Sequence, residues 1–165
     1  MTDFISCISK ESVKFLLLDF DGVLTTNSVL VNSDGEEFVV CSRSDGIGLA
    51  NVKSLGIIPI VISTEKNLVV SKRCQKLQIK CYQGVDNKLD FVRNLTDKTA
   101  IDLDTSIFVG NDVNDISLLK SVKFPVAVND CWPELLKIDN IYRLSRPGGK
   151  GAVRELCDLI YSSLL

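Results

Sequence analysis

Residues 14–24 read KFLLLDFDGVL, and the fold follows from how this stretch is read. The apolar run Phe15 to Leu18 leads straight into Asp19-Phe20-Asp21-Gly22. A short continuous apolar run that stops at a turn signal marks a strand buried on both faces, of the parallel-sheet kind. In an extended chain Asp19 and Asp21 point to one side and Phe20 to the other. Gly22 frees the backbone to leave the strand sharply. Ligands of open α/β sheets bind outside the carboxyl ends of strands. Two anionic groups there repel unless a cation lies between them, so a hard metal such as Mg²⁺ is the expected guest.

Downstream, Ser28 to Val31 and Glu37 to Cys41 are β-rich runs joined by the turn signal Asn32-Ser33-Asp34-Gly35. This hairpin is read as a flap over the sheet's carboxyl edge, as an oligomer contact, or as a cover for a sheet margin. Ser44-Asp45 caps a helix to about Leu55. Buried strands are expected at Ile57 to Ile62 and Ser106 to Val109, and shorter ones at Ile79 to Tyr82, Pro125 to Val128 and Ile141 to Leu144. Pro59 fits poorly in a central strand. Helices are expected over 66–77, 86–95, from the 110–115 turn through Leu119, 133–137 and 152–164. Strands alternating with helices predict a single α/β domain over 1–165: a Rossmann-like parallel sheet with helices on both faces and no cap domain.

The net charge of −2 over 165 residues leaves no basic footprint for nucleic acid. No apolar run approaches the ~20 residues of a membrane span, and the N-terminus shows no secretory pattern. The six cysteines are scattered without a CxxC pair, which suits reduced thiols in a cytoplasm and not a zinc site. Histidine is absent altogether, which excludes Ser-His-Asp and Cys-His catalysis. Acid–base work therefore falls to carboxylates or lysines.

Chemistry-bearing residues stand at three strand ends: Asp19 with Asp21, Ser63, and Asn111 with Asp112 and Asp115. A helix start adds Lys88. Alone, Ser63 is a helix cap, Lys88 a solvated lysine, and Asp115 a first-turn acid favoured by the helix dipole. Together they suit phosphoryl transfer. Asp19 is the expected nucleophile and Asp21 the acid and then the base. Ser63 and Lys88 are expected to hold phosphoryl oxygens, with a metal cancelling anion–anion repulsion.

This order resembles the haloacid dehalogenase superfamily, whose four motifs match as DFDGVLT (19–25), Ser63, Lys88 and GNDVND (110–115). The phrases SDGIGL (44–49), YQGVDNKL (82–89), PVAVND (125–130) and RPGGKGAVRELCDLI (146–160) resemble its small capless branch. That branch holds 3-deoxy-octulosonate 8-phosphate and nonulosonate 9-phosphate phosphatases. The resemblance implies an Mg²⁺-dependent phosphatase of a 2-keto-3-deoxy sugar acid phosphate. It also implies a cytoplasmic homotetramer whose hairpin (about 27–42) packs between subunits. In such a tetramer a neighbour's loop, here Arg146 to Gly151 with Lys150, closes the site. The metal ligands carried over are Asp19, Asp21 and Asn111, with Asp112 and Asp115 supporting them.

Two departures from the family pattern stand out. Ser63-Thr64 replaces the frequent Thr-Gly, and Asn111 replaces a metal-binding aspartate, which removes a charge. A domain of this type also accompanies some acylneuraminate cytidylyltransferases, and Asn111 favours that alternative, a non-catalytic oligomerisation module. Glu65, Arg73 and Lys76, at steps of 8 and 11 and 100° per residue, fall on one helix face. They read either as a solvated face or, by resemblance to the nonulosonate branch, as sugar-acid contacts. The second reading tilts the expected substrate toward a nonulosonate.

Overall fold

The computed structural model describes residues 4–9, 12–95 and 101–164. The strand expected at the start is β1, Phe15–Leu18, and every one of its residues is buried. It lies inside a six-stranded, all-parallel sheet with β4 (Ile58–Ile62), β5 (Lys80–Tyr82), β6 (Ser106–Gly110), β7 (Phe124–Ala127) and β8 (Tyr142–Arg143). The strand order is β5-β4-β1-β6-β7-β8. The chain runs outward from β1 to β5 and then returns to β6 on the other side. The order thus reverses beside β1, the place where such sheets open a ligand crevice.

Alternation divides the core between the two faces. Leu16, Leu18, Val61, Ile107 and Val109 pack with residues of α1 (Ser44–Ser54), α2 (Val69–Leu77) and α5 (Ala152–Leu164). Phe15, Leu17, Ile60, Ile62 and Phe108 pack with Val92 of α3 (Lys88–Arg93) and Leu118 and Leu119 of α4 (Ile116–Leu119). Helices on both faces explain why the strands are continuously apolar.

Pro59 does lie in an interior strand, opposite Leu16. Its neighbour Ile58 donates its N–H to Lys14 on the β1 side. The missing N–H of Pro59 would face β5, whose pairing starts only at Ile60 opposite Lys80. No ladder bond is lost at that level.

Between β1 and α1 stands the hairpin of β2 (Thr25–Val31) and β3 (Glu37–Cys41), a separate two-stranded sheet. Asn32 closes its turn by accepting from the N–H groups of Asp34 and Glu36, and Gly35 takes φ +79°. The hairpin is not bonded to the edge of the main sheet, so it does not cover a margin. It projects from the carboxyl end of β1 as an overhang.

The helix expected over 66–77 starts later than expected, with a consequence for the site. Residues 63–68 form successive turns closed by side chains. Ser63 Oγ accepts from Glu65 N, Glu65 Oε1 from Lys66 and Asn67 N, and Asn67 Oδ1 from Val69 N. These bonds compete with helical ones, and α2 begins only at Val69. Glu65 is therefore not helical and shares no helix face with Arg73 and Lys76.

Candidate active site

The carboxyl ends of β1, β4 and β6 bring Asp19, Ser63 and Asn111 together, all buried. Lys88 arrives from the first residue of α3, where Asn87 caps the helix by accepting from Asp90 N. Lys88 is no surface lysine: it is buried, with Nζ 2.7 Å from Asp19 Oδ1 and 2.6 Å from Asp115 Oδ1. Burial opposes its charge, but the two carboxylates outweigh that and raise its pKa.

Asp115 is fully committed. One oxygen receives Lys88, and the other accepts from Asn111 N at 2.9 Å and Asp112 N at 3.4 Å. It thus shapes the loop after β6 and anchors Lys88. Gly110 is required at this point, since an added Cβ would stand 2.7 Å from Asp115 Cβ. Asp112 turns to cap its own short helical turn by accepting from Val113 N, so its side chain does not back Asn111.

The Asp19 carboxyl is pushed up to about 7, first by burial and then by Asp115, against the pull of Lys88. Asp21 is half-buried, and burial raises its pKa as well. Thr25 holds it by donating to Oδ1 at 3.3 Å while accepting from Gly22 N and Asn27 N. Thr25 is a positioning residue that site selection by strand ends overlooks, although it closes the DFDGVLT motif.

The donor set fits a hard cation. Asn111 Oδ1 is buried without a hydrogen-bond partner, and Asp19, raised to about 7 despite Lys88, would gain from a further positive charge beside it. Gly22 positions the amide, because a Cβ on Gly22 would overlap Asn111 Nδ2. Among the described residues no three acidic, Cys or His side chains form a metal cluster, since the third donor here is an amide.

A cavity of about 80 Å³ opens beside Asp21, lined by Asn27, Ser28, Val29 and Glu37 of the hairpin region and by Glu65 and Val69. Glu65 thus reaches the site by its turn. Arg73 goes elsewhere: Nη2 donates to Ser42 O at 2.9 Å beneath the hairpin. Lys76 is exposed near the end of α2. Arg146 and Lys150 are exposed on a loop whose backbone reaches the Asp19–Thr25 turn of the same chain, through Gly149 N to Val23 O at 3.0 Å.

The sequence pattern of the haloacid dehalogenase-like hydrolases matches residues 60–142. A protein of Escherichia coli (strain K12) called 3-deoxy-D-manno-octulosonate 8-phosphate phosphatase KdsC is 36% identical over 152 residues, covering 91% of this chain and 80% of the relative. The crystal structure of the Moraxella catarrhalis 3-deoxy-D-manno-octulosonate 8-phosphate phosphatase, in complex with magnesium, phosphate and KDO, superposes with a TM-score of 0.89. It is 30% identical, covering 99% of this chain and 93% of that one. The cobalt-bound Haemophilus influenzae enzyme of that type superposes with a TM-score of 0.85 at 26% identity, covering 93% and 90%. With its capless parallel sheet and its Asp19–Lys88–Asp115 centre, this chain belongs to the haloacid dehalogenase-like hydrolase family, as one of its phosphatases.

Proposed function

We propose that residues 1–165 form one Mg²⁺-dependent phosphatase domain that hydrolyses a phosphorylated 2-keto-3-deoxy sugar acid. The observation that carries this is the buried Asp19 carboxylate, ion-paired to Lys88 and flanked by Asp21 and the unpartnered Asn111 Oδ1. Asp19 attacks phosphorus, and an aspartyl-phosphate forms as the ester oxygen leaves with a proton from Asp21. Asp21 then takes a proton from water, which attacks the same phosphorus and frees Asp19 and phosphate. Ser63 Oγ and the Lys88 ammonium hold phosphoryl oxygens. Asp19, Asp21 and Asn111 would hold Mg²⁺, whose charge offsets the repulsion between Asp19 and the phosphate.

An octulosonate 8-phosphate is the first substrate to test, on the similarity to the E. coli and M. catarrhalis enzymes. A nonulosonate 9-phosphate is the second, since of Glu65, Arg73 and Lys76 only Glu65 lines the cavity beside Asp21. Asn27, Ser28, Glu37 and Glu65 there are partners for hydroxyl groups and repel a carboxylate, so the polyol part of the leaving group suits this cavity. Phosphate release from both substrates, with and without Mg²⁺, tests the reading. Mg²⁺-dependent turnover supports it, and the faster substrate identifies the chain length. Release from neither by folded protein would favour the non-catalytic alternative.

The same reading makes the protein a cytoplasmic homotetramer. Leu30, Phe38 and Val40 share one face of the hairpin and are each more than half exposed, an apolar surface that a second copy would cover.

A further inference from the structure

The SDGIGL stretch contributes nothing to the chemistry above, yet its Asp45 is wholly buried. Asp45 stands at the start of α1, and its Oδ1 accepts from Arg154 N at 2.9 Å, in the first turn of α5 and 109 residues away. The α1 and α5 helices touch closely here, since a Cβ on Gly48 would stand 2.8 Å from Cys157 Cβ. The next residue of α5, Glu155, accepts from Ser145 N at 2.8 Å and Arg146 N at 2.9 Å. The first turn of α5 is thereby fixed to α1 on one side and to the start of loop 146–151 on the other.

That loop touches the catalytic turn directly. Gly148 N donates to Asp130 Oδ1 and Gly149 N to Val23 O. A Cβ on Gly148 would overlap the carbonyl of Gly22, and Gly22 in turn abuts the Asn111 amide. The contacts form a series: Asp45, Arg154 with its neighbour Glu155, loop 146–151, Gly22, Asn111.

We infer that Asp45 is a positioning residue of the active site, which sets the first turn of α5 and so holds loop 146–151 on the Asp19–Thr25 turn. This rests on the phosphatase reading only for its effect on turnover. Its effect on the loop is independent of any activity.

Tryptic cleavage at Lys150 reads the loop directly, because Lys150 is exposed and Arg146 is protected by the following Pro147. In Asp45→Ala, cleavage at Lys150 should accelerate about tenfold with other sites unchanged, and kcat should fall about tenfold at similar KM. Asp45→Asn keeps an oxygen acceptor for Arg154 N and should restore both to within about twofold. Wild-type cleavage at Lys150 in a folded Asp45→Ala protein would overturn the inference. So would equal acceleration in Asp45→Asn, or acceleration at every site. If Asp45→Ala does not fold, Glu155→Ala should show the same selective cleavage, and its absence would overturn the inference. Selective cleavage without phosphate release from wild type would leave the loop assignment standing and remove the phosphatase reading.

Discussion

Lys88 Nζ lies 2.7 Å from Asp19 Oδ1, and the two side chains are 0% and 5% exposed. Such a pair costs desolvation energy to bury, so its presence is weak evidence of stability. Breaking it from one side is another matter. Lys88→Ala leaves Asp19 and Asp115 facing each other without a cation. It should lower the unfolding free energy by about 3 kcal/mol in urea titrations and abolish measurable turnover. Wild-type stability would mean that the ammonium does not hold this centre together.

Asn111 supplies an amide oxygen where a carboxylate would add charge. Asn111→Asp keeps the shape beside Gly22 and should lower the Mg²⁺ concentration for half-maximal activity about tenfold. Activity titrated against Mg²⁺ checks this. An unchanged midpoint would place the metal away from residue 111.

Asp45 links stability to pH. Burial is the main cause of its rise from 3.8 to about 6, opposed by the Arg154 N–H bond and by the charges of Arg73, Arg146 and Arg154. The folded state therefore holds this proton more tightly than the unfolded chain. The contribution is complete below about pH 4 and is lost as pH rises through about 6, a change of about 3 kcal/mol. Asp45→Asn removes it while the other carboxyls remain. Urea midpoints from pH 4 to 7 should show the variant gaining on wild type as pH rises. A constant difference between the two proteins would refute the assignment.

The hairpin carries the oligomer prediction. Leu30 and Phe38 are paired across β2 and β3 and are 69% and 54% exposed. Leu30→Glu with Phe38→Glu should convert a tetramer to smaller species in light scattering, with the fold intact. A tetramer that survives this charge would have its interface elsewhere.

The sheet and its catalytic edge were legible because their signals are local. Phe15 to Leu18 is apolar without interruption and leads into Asp19, Ile60 to Ile62 leads into Ser63, and Ile107 to Val109 leads through Gly110 to Asn111. Signals that failed depend on distant partners or on side chains bonding backbone. Lys88 looks solvated until Asp115, 27 positions on, accepts from it. Glu65 reads as helical because nothing in its identity reveals that it will bind the N–H groups of Lys66 and Asn67. Asp45 reads as a helix cap, and it is one, but for α5 rather than α1.

Phosphate release at saturating Mg²⁺ by Asp19→Asn beside wild type, with circular dichroism to show that both are folded, tests attack by Asp19. Asparagine nearly matches the shape of aspartate but cannot act as the nucleophile. Turnover should fall by about 10³-fold or more. A variant that releases phosphate at the wild-type rate would contradict attack by Asp19 and the mechanism built on it.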